Sequence, residues 1–158
     1  MDNEQLIRCF YESFARNDAD EMIKCYADDV VFSDPAFGEL HGEQAKNMWK
    51  MLVERGRGNI KIEFSNVKAD AAKGSADWTA DYLFSKTGRR VSNRIHAEFE
   101  FKDGKIVRHA DTFDIWKWSR QALGVSGLLF GWSGFLQNKI RQNARQSLRE
   151  YGEKLNNK

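Results

Sequence analysis

The sequence predicts an α+β domain in which helices cover one face of an antiparallel sheet. Three observations predict it. The first 56 residues carry apolar side chains mainly at helical spacing, broken by one short extended stretch. From Ile60 onward the spacing becomes alternation, the period of half-buried strands. Turn signals at Thr87-Gly88 and Asp103-Gly104 divide that second half into consecutive strands.

The first helix is expected over residues 3 to 16, where Leu6, Phe10 and Phe14 stand four apart with Ile7 beside them. Asn17-Asp18 ends it, and Asp18 or Asp20 can cap a short second helix carrying Met22, Ile23 and Tyr26. Val30, Val31 and Phe32 read as a strand. Asp34-Pro35 stops it, because the residue before proline is held extended and proline cannot donate to a ladder. After a turn region from Gly38 to Gly42, residues 43 to 56 form a third helix with Ala45, Met48, Trp49 and Leu52 on one side. Ile60, Ile62 and Phe64 alternate as one strand, and Trp78, Ala80, Tyr82 and Phe84 as the next. The longest alternation puts Val91, Asn93, Ile95, Ala97, Phe99 and Phe101 on one face. Asp103-Gly104 turns it into a return strand whose apolar face, Val107, Phe113 and Ile115, also holds His109 and Asp111. Bare burial of two titratable groups is costly, so this face is where a site is expected.

The chain has 158 residues, enough for one domain with a single core. Hydrophobic residues make up 41% and charged residues 30%, the balance of a globular protein. No apolar run is long enough to span a bilayer, and the polar start from Met1 to Gln5 does not read as a secretory leader. Cys9 and Cys25 lack metal or redox spacing and read as buried thiols, which fits a cytoplasmic setting. His41, His96 and His109 do not form ligand spacing, so no metal is expected. No nucleotide-binding glycine motif and no nucleophile elbow occurs, and no cofactor is expected.

The stretches LIRCFYESFARNDADEMIKCYADDVVFSDPAFGELHGEQAKNMWK, residues 6 to 50, and FEFKDGKIVRHADTFDIW, residues 99 to 116, resemble the nuclear transport factor 2-like superfamily, in its SnoaL-like and ketosteroid-isomerase-related branch. The resemblance covers about residues 3 to 116. It implies a cone-shaped fold of three N-terminal helices packed on a curved antiparallel sheet, with a deep apolar pocket. It also implies that Asp34, before Pro35, stands where the isomerases keep their base. Ala97 then stands at their oxyanion-hole aspartate, and Phe10 at their oxyanion-hole tyrosine, with Tyr11 turned off that face. His109 and Asp111 resemble the inward acid–base pair of SnoaL-like cyclases.

Asp34, His109 and Asp111 are accordingly the candidate catalytic residues. A carboxylate in an apolar pocket is strengthened as a base, and an aspartate beside a histidine fixes its tautomer. Tyr82 and Asn93 are candidate donors to a ligand carbonyl, and Trp49, Trp78, Phe84, Phe99 and Phe113 candidate apolar lining. The expected ligand is a small hydrophobic carbonyl compound, isomerised or cyclised by acid–base chemistry. The alternative is a non-catalytic binding or interaction domain. The polar outer face, with Asp77, Thr79, Asp81, Arg94, His96, Glu98 and Glu100, suggests a homodimer by analogy with the superfamily.

Residues 117 to 158 form an extension beyond the 1–116 domain. They hold eight Lys or Arg against two Glu, whereas residues 1 to 116 hold 17 basic and 21 acidic residues. A glycine-punctuated apolar run, VSGLLFGWSGFL, precedes a stripe of Leu136, Ile140, Ala144, Leu148 and Tyr151 on a basic helix. The favoured expectation is that the run caps the pocket mouth or meets a second protomer, burying at least four of Leu128, Leu129, Phe130, Trp132, Phe135 and Leu136. A membrane-surface element and a protein-docking surface are the alternatives, and nucleic acid is not expected because the body is acidic.

Overall fold

The structure is a computed structural model and describes residues 1–56 and 58–157. Helices α1 (Asn3–Ala15), α2 (Ala19–Lys24) and α3 (Glu43–Gly56) pack against a curved, unclosed sheet. Its strands are β1 (Tyr26–Asp34), β2 (Gly38–His41), β3 (Lys61–Ala69), β4 (Lys73–Phe84), β5 (Arg89–Lys102) and β6 (Lys105–Thr112), in the order β2-β1-β6-β5-β4-β3. Three C-terminal helices follow: α4 (Ile115–Leu123), α5 (Val125–Phe130) and α6 (Gly134–Asn156).

The local chemistry accounts for the element ends. Asp2 caps α1 in a reciprocal box: its carboxylate accepts from the Gln5 amide at 2.8 Å, and the Gln5 side chain accepts from the Asp2 amide at 2.9 Å. Asp18 caps α2 through the Glu21 amide. Asp103 and Gly104 both have positive φ, 53° and 75°, which gives the two-residue hairpin between β5 and β6 the twist its strands need.

Three features depart from the sequence reading. The sheet is antiparallel except at β1 and β6, which run parallel with Phe32 opposite His109. Tyr26 begins β1 instead of closing α2, and Gly38–His41 is a short strand rather than a turn. In β6 the pairing slips by one residue, from Glu100 opposite Arg108 to Phe101 opposite Ile106. That bulge leaves Val107 half-buried and hands the inward position to Ile106. His109 and Asp111 lie beyond the bulge and keep their inward parity.

One core fills the space between the helices and the concave face of the sheet. Phe10, Tyr11, Phe14, Met22, Phe32, Trp49, Phe99 and Ile106 lie in it with almost no exposed surface. Helix α1 buries a wider stripe than its Leu6–Phe10–Phe14 row, because Ile7, Tyr11 and Phe14 form a second row facing the sheet. Tyr11 is therefore fully buried, against Phe64, Trp78 and Phe99, and not turned off the face.

A second, smaller cluster joins α4 and α6 to the end of the cone beside the β1–β2 turn. Val91, Trp118, Ala122 and Ile140 are its buried members, and Ala36, Tyr82, Phe84 and Phe113 pack against them. Arg141 and Arg145 hold α6 there by donating to the backbone carbonyls of Pro35, Phe37 and Glu39. Within α6, Ile140 and Leu148 are buried, and Leu136, Ala144 and Tyr151 half-buried, along the stripe read from the sequence.

Candidate functional site

The inward polar groups divide into a floor and a mouth. The floor is a chain of four hydrogen bonds between five side chains from four elements. The Trp49 indole of α3 donates to the Tyr26 hydroxyl at 2.8 Å. The Tyr26 oxygen lies 2.7 Å from His109 Nδ1, and His109 Nε2 lies 2.8 Å from Asp111 Oδ1. The Trp78 indole of β4 donates to the same Asp111 oxygen at 3.3 Å.

One proton arrangement satisfies every member. Tyr26 accepts from Trp49 and therefore donates its own proton to His109 Nδ1. The imidazole then carries its proton on Nε2 and donates to Asp111, whose oxygen accepts from His109 and Trp78 together. The two residues can meet because they stand two apart on one strand face. Phe10, Phe32, Trp49 and Phe99 wall the imidazole, with the Phe99 ring centroid at 4.4 Å and Trp49 stacked at 15°.

Tyr11 stands apart from this chain. Its hydroxyl is buried without a hydrogen-bond partner. Burial, and next the nearby Asp111 charge, push its pKa well above the ordinary tyrosine value. A buried, unpaired hydroxyl is costly unless a water or ligand meets it.

The mouth holds Asp34, Tyr82, Phe84 and Phe113, all half-buried; Asn93, half-buried too, lies on β5. One oxygen of Asp34, Oδ1, accepts from the backbone amides of Ala36 at 2.9 Å and Phe37 at 2.6 Å. This is the turn expected of an aspartate before proline, and it leaves Oδ2 uncommitted. Burial pushes the Asp34 carboxyl up to about 7 and Asp111 adds to the rise, while the Phe37 and Ala36 amides and Arg141 oppose it. Tyr82 accepts a 2.8 Å bond from the Trp118 indole of α4, which leaves the tyrosine proton free to donate. Phe84 meets Trp118 edge to face.

The sequence-derived site residues thus fall into two groups. His109, Asp111, Trp49, Trp78 and Phe99 meet at the floor, where they pack on each other and on α1. Asp34, Tyr82, Phe84 and Phe113 gather at the mouth, under α4 and α6, while Asn93 lies on β5 opposite Ala80 of β4. Surface hollows of about 700 Å³ beside the β3–β4 turn and about 620 Å³ beside the α2–β1 junction contain neither Asp34, His109 nor Asp111. Tyr26, Tyr11 and Trp118 complete the arrangement and escaped the sequence reading. Tyr26 shares the even-numbered parity of Val30, Phe32 and Asp34, which is the signal that could have found it. Among the described residues no cluster of His, Cys, Asp and Glu has the form of a metal site.

The fold is shared with several solved structures. A candidate polyketide cyclase from Pseudomonas putida superposes with a TM-score of 0.62 at 19% identity, over 77% of this chain and 98% of that one. An epoxide hydrolase of the LEH-like type from M. tuberculosis gives 0.58 at 23% identity, over 79% and 92%. A candidate isomerase from Bacillus subtilis gives 0.60 at 18% identity, over 78% and 96%. Comparison with functionally curated sequences finds no match. The SnoaL-like domain model matches residues 7–109, which include Asp34 and reach His109. The chain belongs to the SnoaL-like domain family.

Proposed function

We propose that the protein takes a small hydrophobic carbonyl compound at the mouth of the cone and moves a proton on it, in an isomerisation or an aldol-type cyclisation without a cofactor. The observation that carries this reading is Asp34. A carboxyl balanced near neutrality is equally able to accept and return a proton, the condition general acid–base catalysis requires. Its second oxygen is uncommitted, the Tyr82 hydroxyl near it can donate to a substrate carbonyl, and Phe84 and Phe113 belong to the apolar packing around Tyr82. His109 and Asp111 have their hydrogen bonds largely committed to Tyr26 and Trp78. Their proposed part is a rigid polar floor whose negative charge helps hold the Asp34 proton. The resemblance to ketosteroid isomerases and the fold shared with candidate cyclases and isomerases support the same class of chemistry.

Wash-in of solvent deuterium tests it. Hydrophobic ketones with an acidic α C–H are incubated with the protein in D₂O and read by mass spectrometry. Exchange is expected to exceed the buffer rate, to rise with pH through about 7, and to fall by roughly 10²-fold or more in Asp34→Asn. Exchange at the buffer rate for ketones that bind would instead favour a non-catalytic binder. That second reading has its own observation: aromatic side chains fill the cone around His109.

Two further parts of the reading concern setting and assembly. The outer sheet face carries Asp77 paired with His96 at 2.7 Å and Arg108 paired with Glu100 at 3.1 Å, and we assign it to a homodimer contact. The free thiols Cys9 and Cys25 suit a reducing, cytoplasmic compartment.

A further inference from the structure

The exposed apolar surface of the chain is concentrated in one place. Val125, Leu128, Leu129, Phe130, Trp132 and Phe135 are between 51% and 79% exposed, and Trp116 beside them is exposed as well. The sequence suggested that the pocket rim or a second protomer would bury most of this run. The rim is instead covered by Trp118, Ala122 and Ile140, and the run faces outward.

The outward direction is built into the backbone. Helix α5 packs on α4 through its glycines. A Cβ on Gly127 would overlap the Ser119 carbonyl, and one on Gly131 would overlap the Ser119 hydroxyl. Gly127 is the buried residue of α5. A helix that buries its glycine side turns Leu129 directly away from α4, and Leu128 and Phe130 flank the contact half or more exposed. Ordinary core packing would place the large side chains inward.

The segment that carries this patch is basic. From Ile115 to Arg149 there is no Asp or Glu, and there are six Lys or Arg, of which Arg141 and Arg145 turn to the β1–β2 backbone. Lys117 and Lys139 are exposed, and Arg120 lies over the Trp116 ring at 4.5 Å. Arg89, at the start of β5, sits against Gly124 and donates to the Gln121 carbonyl, and Thr87 donates to the Ala122 carbonyl, which brings the β4–β5 turn with Lys86 to the same end. No helix among the described residues is long and apolar enough to cross a membrane.

We propose that α5 and the start of α6 form a peripheral membrane contact that seats the protein on an anionic lipid surface. Leu128, Leu129, Phe130 and Phe135 would enter the acyl boundary, with Trp116 and Trp132 at headgroup depth and the basic rim against the phosphates. Charge decides between this occupant and a second copy. A two-fold contact would face the same basic rim against itself, whereas anionic headgroups neutralise it.

Flotation of the full chain with vesicles tests the proposal, using phosphatidylcholine alone and phosphatidylcholine with phosphatidylglycerol. Binding to the anionic vesicles is expected to exceed binding to the neutral ones by about tenfold or more. It should fall several-fold in about 0.5 M salt, and disappear in the double variant Leu129→Glu, Phe130→Glu with thermal melting unchanged. Equal or absent binding to the two vesicle types overturns the proposal. So does a concentration-dependent dimer in sedimentation equilibrium that the same double variant dissociates while vesicle binding is unaffected.

Discussion

The floor of the cone and helix α5 use the same kinds of residue in opposite ways. At the floor, large aromatic side chains point inward and the polar atoms among them form a chain from Trp49 through Tyr26, His109 and Asp111 to Trp78. In α5, glycine does the packing and the Leu and Phe side chains point out. The first region is shaped for the fold's own stability. The second leaves its apolar area for something outside the chain. Substitutions should therefore be felt strongly in one place and barely in the other.

The largest effect is expected at Trp49. Trp49→Ala removes a ring that is 1% exposed, opens a cavity beside His109 and strips the Tyr26 oxygen of its donor. Chemical denaturation should show a loss of about 3–5 kcal/mol. Tyr26→Phe keeps the ring and removes only the hydroxyl, leaving the Trp49 indole and His109 Nδ1 unpaired. About 1–3 kcal/mol should be lost. Tyr11→Phe is the internal contrast. It removes a buried hydroxyl that has no partner, so stability should stay level or rise by up to about 1 kcal/mol. A clear loss would mean that a bound water or ligand group pairs with that hydroxyl.

Asp34→Asn separates mouth from floor by its pH dependence. The folded state raises this carboxyl from the ordinary range to about 7, so the folded chain holds the proton more tightly than the unfolded one between about pH 4 and 7. The contribution is present at low pH and is lost as pH rises through 7. The neutral variant lacks that loss. It should match the parent near pH 4 and exceed it by on the order of 2 kcal/mol at pH 8, after discounting for the group's partial contact with solvent. The smallest effect belongs to α5: Leu129→Glu should change stability by less than about 0.5 kcal/mol.

Periodicity made much of this legible. The long alternation of β4 and β5, the Asp103-Gly104 hairpin and the α3 face with Trp49 all follow from residue spacing. So does the inward placement of His109 and Asp111, because two residues on one strand face need no knowledge of the rest of the fold. Their hydrogen-bond pairings were hidden for the complementary reason. Tyr26, Trp49 and Trp78 lie 83, 60 and 31 residues from His109 by their numbers in the sequence, and pattern within a segment carries no information about contacts between segments. Tyr26 was also masked by the acidic residues Asp28 and Asp29, which interrupt its strand's alternation. Val107 was misplaced because a bulge shifts parity without a compositional signature. In the extension, the stripe of α6 was plain from its spacing of four and three. The outward face of α5 was not, since only the packed structure shows that glycines make its contact with α4.

The reading of the site turns on where Asp34 takes up its proton. Carbon-detected NMR of ¹³C-labelled protein follows each carboxyl through a pH titration, and the spectrum of Asp34→Asn assigns the resonance. A midpoint near 7 is expected, from a carboxyl held in the apolar mouth with one oxygen tied to the β1–β2 turn. A midpoint near the ordinary aspartate value of about 4 would contradict it, and would leave Asp34 as a turn residue with no part in proton transfer.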